Sequence, residues 1–187
     1  MKIVRKLNAA EPGQDGPRVQ PWKVLVVDDE PDVRLITALN LRGFSFAGRP
    51  LELIEACSSE EAKQRLAEHP DCALALIDVV METDDAGLRL VEYIRKDLKN
   101  LMIRLVIRTG QPGVAPERYV IDNYDIDDYK DKTELTVQRL YTTVRNSIKG
   151  FRDLQTIELN RYGLSLILDV TPELYNLHRD KLEDYFQ

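Results

Sequence analysis

Cysteine and histidine are scarce: the 187-residue chain has two of each. Cys57 and Cys72 make a poor disulfide framework, and two histidines leave little for a Cys/His zinc site. Both thiols read as reduced packing residues. No apolar run approaches the length of a membrane span. The opening MKIVRKLNAAEPGQDGP has no apolar stretch of signal-peptide length. These absences place the chain in the cytoplasm. A basic excess is missing too. Lys and Arg number 26 against 32 Asp and Glu, a net charge of −6, so nothing favours nucleic acid or an anionic membrane as partner.

What is present suits one core: 43% of the residues are hydrophobic. Residues 1–21 read as a flexible tail, since LNAAEPGQDGPRVQP lacks apolar periodicity. From Trp22 onward, apolar runs alternate with helical patterns. Strands are predicted at 23–27, 51–56, 72–78, 104–109 and 126–130. Helices are predicted at 31–42, 58–69, 87–98 and 116–124, with a long one from near Thr133. Pro31 suits a first helical turn, and Ser58 with Glu61 forms a capping box. Val33, Ile36, Leu39 and Leu41 give the first helix its apolar positions. The fold class is α/β: a doubly wound, five-stranded parallel sheet with a C-terminal helical extension. The first, third and fourth strands are apolar almost throughout, as strands buried on both faces should be.

Ligands bind where the strands of such a sheet end. The first strand ends in Asp28 and Asp29, the third in Asp78 and the fourth in Thr109; the fifth leads to Lys132. A strand order of 2-1-3-4-5 brings the three aspartates together. Unpartnered, they would raise one another's pKa values. A hard divalent cation relieves that repulsion, and an all-oxygen donor set suits Mg²⁺. Asp78 can then act as a nucleophile toward a phosphoryl group. Mg²⁺, the Lys132 ammonium and the Thr109 hydroxyl would neutralise the transferring oxygens. Each residue also has an ordinary reading. Asp28 and Asp29 can offset the helix dipole before Pro31, Asp78 can cap the next element, and Lys132 sits in a charged run.

Four motifs in order, over about residues 22–150, resemble the receiver domain of two-component response regulators. They are VLVVDDEPD, LALIDVVM, VIRTG and DDYKDK. The resemblance implies that Asp78 accepts a phosphoryl group from a sensor histidine kinase or a phosphotransfer protein. It implies that Asp29 and Asp78 bind Mg²⁺ directly, with the Val80 backbone carbonyl, and Asp28 through water. Thr109 then moves toward the phosphate and Tyr129 rotates inward as the switch. Two departures stand out. Lys132 precedes Thr133 where the family has Pro, and Val80 stands where many receivers carry a polar side chain. METDDAGLRLVEYIR, RTGQPGVAPERYVI and DIDDYKDKTELT also resemble a narrower subgroup, found ahead of HD-GYP-type cyclic-di-GMP phosphodiesterases. No HD or GYP motif is present.

The last helix outruns what a receiver needs. Val137, Tyr141, Val144, Ile148 and Phe151 step at heptad spacing, and apolar residues continue beyond Gly150. Residues 151–187 therefore read as a signalling or dimerising extension, or as the start of an output domain. Thr171 and Pro172 read as the cap and first residue of one more helix. No turnover substrate is expected. Two rivals remain: a regulatory fragment of a larger cyclic-di-GMP phosphodiesterase, and an Mg²⁺-dependent phosphatase with an aspartate nucleophile. The second is disfavoured, because Val80 occupies the position where such an enzyme needs a second Asp.

Overall fold

The computed structural model describes residues 19–110, 116–134 and 136–185, with backbone alone for 134 and 169–185. The expected tail lies almost wholly outside these residues. The elements are β1 (Trp22–Val27), α1 (Pro31–Asn40), β2 (Ser45–Phe46), β3 (Arg49–Ala56), α2 (Ser59–Glu68) and β4 (Leu74–Asp78). They continue with α3 (Ala86–Glu92), β5 (Arg104–Thr109), α4 (Glu117–Asn123), β6 (Asp128–Asp131) and α5 (Val137–Tyr185).

Five strands run parallel in the order β3-β1-β4-β5-β6, which is the expected 2-1-3-4-5. The sheet nevertheless has six strands, because β2 pairs antiparallel with β3 at its edge. Ala47 (φ 51°) and Gly48 (φ 74°) form the two-residue turn between them. Paired positive φ values match the right-handed twist of a tight hairpin. The Trp22 indole N–H donates to the Phe46 carbonyl at 2.9 Å and ties the short strand to β1. A two-residue strand has no periodicity to read, so the sequence did not reveal it.

The alternation of side chains along the strands divides the core in two. Val24, Val26, Leu74, Leu76 and Val106 pack with Leu140, Val144, Ile148 and Phe151 of α5. Leu25, Val27, Ala75, Ile77, Leu105 and Ile107 pack with Ala62 and Leu66 of α2 and with Leu88, Val91 and Ile94 at α3 and its continuation. Each large apolar side chain removed from water contributes roughly 1.5–3 kcal/mol. Both cysteines are free, and burial pushes the Cys72 thiol up to about 12.

α2 is capped as expected. Ser58 Oγ accepts from the Glu61 N–H, while the Glu61 carboxylate accepts from the Cys57 N–H, one residue earlier than in a standard box. α1 departs from expectation. Ile36 and Leu39 of its apolar stripe are exposed, together with Leu35, and Thr37 turns inward instead. The cause is Arg108 on β5: its guanidinium lies buried beneath α1 and donates to Thr37 Oγ1 at 2.9 Å.

α5 crosses residue 150 without interruption and passes over Thr171 and Pro172, where a new helix was expected. Pro172 lacks the N–H that would reach the Leu168 carbonyl, so the helix loses one hydrogen bond there and continues. Past Phe151 it exposes Ile157, Leu159, Tyr162, Leu164, Ile167 and Leu168. Among the described residues, no helix is long and apolar enough to cross a membrane.

Candidate functional site

The sheet delivers its polar residues to one edge. Asp28 and Asp29 follow β1, Asp78 closes β4, Thr109 closes β5 and Lys132 follows β6. β1 and β4 are adjacent, with Val27 opposite Ile77, so the residues just beyond them meet. One carboxylate oxygen from each of Asp28, Asp29 and Asp78 lies within 4.8 Å of the others. Asp28 is 0% exposed and Asp78 4%, whereas Asp29 faces solvent.

Lys132 joins them. Its Nζ lies 2.7 Å from Asp78 Oδ2, 3.0 Å from Asp28 Oδ2 and 3.4 Å from Glu30 Oε1. Burial works against the ammonium's charge, but Asp78 and Asp28 outweigh it and hold its pKa above the ordinary value. Burial raises the Asp78 carboxyl above its usual range; Lys132 opposes that change and the charge of Asp28 adds to it. The turn that carries Lys132 needs no proline. Among the described residues no peptide is cis, and Asp131 Oδ1 accepts from both the N–H (2.8 Å) and the hydroxyl (2.7 Å) of Thr133. This side-chain turn fixes the chain where the family has Pro.

Thr109 is fully buried at the end of β5, between the strands that carry Asp78 and Lys132. Val80 is half-buried and leans on the core, and Tyr129 on β6 is packed within it. Glu30, Arg108, Thr37 and Gly87 were not singled out from the sequence. Arg108 Nη2 lies 3.4 Å from Asp28 Oδ2, inside the protein. One signal for it existed, since a charged residue in an apolar strand buried on both faces requires a partner. Gly87, in the first turn of α3, lies against the end of β4, its N–H donating to the Val79 carbonyl at 3.0 Å.

The donor set fits Mg²⁺. It is all oxygen and anionic, and Asp78 Oδ1 is buried without a hydrogen-bond partner. An unsatisfied buried carboxylate oxygen is costly unless a ligand completes it. An open groove of about 810 Å³ lies elsewhere, between α5 and the β6 edge, and includes none of these residues.

Solved structures share this architecture. A response regulator receiver domain from Clostridium thermocellum superposes with a TM-score of 0.59 at 22% identity, covering 71% of this chain and 98% of that one. The chain has the receiver fold. The signal receiver domain of an HD domain-containing protein from Pseudomonas fluorescens gives 0.61 at 19% identity, covering 72% and 99%. In sequence, the receiver-fold chain is 52% identical over 157 residues to the 3'3'-cGAMP-specific phosphodiesterase 2 of Vibrio cholerae. That match covers 84% of this chain but only 30% of the curated relative's length. No family model matches. The likeness to receivers is the expected one, and the relative fits the expected HD-GYP-type subgroup, although its name gives 3'3'-cGAMP where cyclic-di-GMP was expected.

Proposed function

We propose that this chain is a phosphorelay receiver of the cytoplasm, with residues 22–150 as the receiver and 151–187 as a helical extension. Asp78 accepts a phosphoryl group from a sensor histidine kinase or a phosphotransfer protein. The observation that carries this reading is the meeting of Asp28, Asp29 and Asp78 with Lys132 at one sheet edge, around an Asp78 oxygen that lacks a partner.

In the transfer, an Asp78 oxygen bonds phosphorus as the donor's phosphorus–nitrogen bond breaks, and the imidazole keeps the electron pair. Mg²⁺, when bound, supplies charge neutralisation for the phosphoryl oxygens. Asp29, Asp78 and the Val80 carbonyl would hold it directly, and Asp28 through water. Lys132 orients the Asp78 carboxylate and stands ready to pair with the phosphoryl group. Thr109 supplies a hydroxyl from the neighbouring strand. Tyr129, packed inward, is the side chain whose place reports the state of the site.

The test is incubation with acetyl phosphate and Mg²⁺, followed by intact mass. One phosphoryl adduct is expected, and chelation of Mg²⁺ should prevent it. No adduct, or steady turnover of phosphate esters, would overturn the reading; the latter points to the phosphatase instead.

The 52% identity supports a narrower version: the chain serves as the regulatory segment of a longer cyclic-dinucleotide phosphodiesterase. The extension of α5 then couples the site to the output. Its exposed Ile157, Leu164 and Leu168 favour a second copy of this chain as partner, because a monomer leaves them in water. Light scattering should show a dimer that Leu164→Lys with Leu168→Lys converts to a monomer. A wild-type monomer at every concentration counts against pairing.

A further inference from the structure

The buried part of the site is already near charge balance, since Asp28 and Asp78 face two cations, Lys132 and Arg108. Lys132 belongs to the receiver resemblance, whereas Arg108 comes from this chain's own structure. It sits in β5 opposite Asp78 in the strand register, one residue before Thr109, and is 2% exposed. Nη1 donates to Thr37 Oγ1, whose hydroxyl donates to the Val33 carbonyl at 2.7 Å, so α1 holds the guanidinium from above. Nη2 reaches Asp28 Oδ2, the oxygen that Lys132 also holds. One carboxylate oxygen therefore lies between two cations. An arginine buried in an apolar strand is costly unless paired, and a Val or Leu there would pack at no such cost.

We propose that Arg108 is a positioning residue of the metal pocket: an internal counter-cation on Asp28 that lowers the affinity of the pocket for Mg²⁺. The inference rests on the receiver reading and its metal site. It revises the picture of three aspartates whose repulsion only an added ion relieves. Part of the neutralisation is built in, and Mg²⁺ enters against it.

The test is a calorimetric titration of the full chain with MgCl₂ alone. Removing one positive charge near the pocket should tighten Mg²⁺ binding on the order of tenfold. Arg108→Met removes charge and hydrogen bonds together. Arg108→Gln removes the charge but keeps an amide donor for Asp28 or Thr37, so it is the neutral version expected to stay folded. Arg108→Lys keeps the charge and should bind within a few-fold of wild type. The rise in Tm on adding Mg²⁺ should be larger for both neutral variants than for wild type. Equal or weaker Mg²⁺ binding by a folded Arg108→Gln would overturn the proposal, as would an equal gain in Arg108→Lys. Absence of Mg²⁺ binding to wild type is a separate result: it removes the metal site itself and this inference with it.

Discussion

Asp78→Asn is expected to abolish the phosphoryl adduct and, without Mg²⁺, to raise stability. The amide cannot act as the nucleophile, so the mass shift with acetyl phosphate should vanish completely. The gain in stability follows from burial. Asp78 is almost fully buried beside Asp28, one of its oxygens has no partner, and burial raises its pKa despite Lys132. Lys132 keeps Asp28 and Glu30 when the Asp78 charge goes. A neutral side chain of nearly the same shape removes that burden, for a gain on the order of 1 kcal/mol. In a domain of this size that is about 2–4 °C in Tm.

The pH dependence has a definite sign. A carboxyl with a raised folded-state pKa binds its proton more tightly in the folded chain than in the unfolded one. Its contribution to stability is full below the ordinary carboxylate range and is lost as pH rises through the raised value. The amide of the variant does not titrate. The stability advantage of Asp78→Asn should therefore be small at acid pH, widen as pH rises through that window, and stay constant above it. Thermal unfolding of both proteins across pH, in chelator, checks this. Saturating Mg²⁺ should narrow the gap, because the ion stabilises the form that binds it better. An advantage that shrinks with rising pH would contradict the buried-charge account.

The site was legible where charge interrupts an apolar pattern at a strand end. Asp28, Asp29, Asp78 and Thr109 stand at the ends of strands that sheet burial makes apolar, Lys132 follows the charged edge strand Asp128–Asp131, and parallel topology brings these ends to one edge. The same reasoning passed over Arg108, which is inside its strand, where the apolar run Leu105–Ile107 before it and the strand-end Thr109 after it set the reading. Its partners, Asp28 and Thr37, are 80 and 71 residues away, so no local spacing reveals them. The inward Thr37 and the exposed Ile36 and Leu39 follow from that one arginine, which explains why the helical pattern of α1 misassigned its buried face. The edge strand β2 and the continuity of α5 through Pro172 had similar causes. Each depends on tertiary pairing or on a tolerated lost hydrogen bond, and neither leaves a period in the sequence.

Gly87→Ala should cost the protein both stability and phosphorylation, because its space is taken by backbone. A methyl group at that position would overlap the Asp78 carbonyl oxygen and lie 2.8 Å from the Asp78 carbonyl carbon and 3.0 Å from Val79 Cα. A flexible side chain can swing away from such a clash, but β4 is pinned between β1 and β5 and its residues are buried. Either α3 lifts and loses the Gly87-to-Val79 hydrogen bond, or the end of β4 shifts and carries the Asp78 carboxylate away from Lys132. Overpacking costs roughly 1–3 kcal/mol, occasionally more; an overlap with pinned backbone belongs at the top of that range, about 6–12 °C in Tm for a chain of this size. Gly163→Ala is the control: among the described residues, nothing outside its own stretch of helix backbone lies within 4 Å of the new methyl group, and alanine favours the helix by up to about 1 kcal/mol. Phosphorylation by acetyl phosphate should fall sharply in Gly87→Ala even below its Tm and stay at wild-type level in Gly163→Ala. Normal phosphorylation with a lowered Tm would mean that α3 absorbs the whole displacement and that the position of Asp78 does not depend on this close approach.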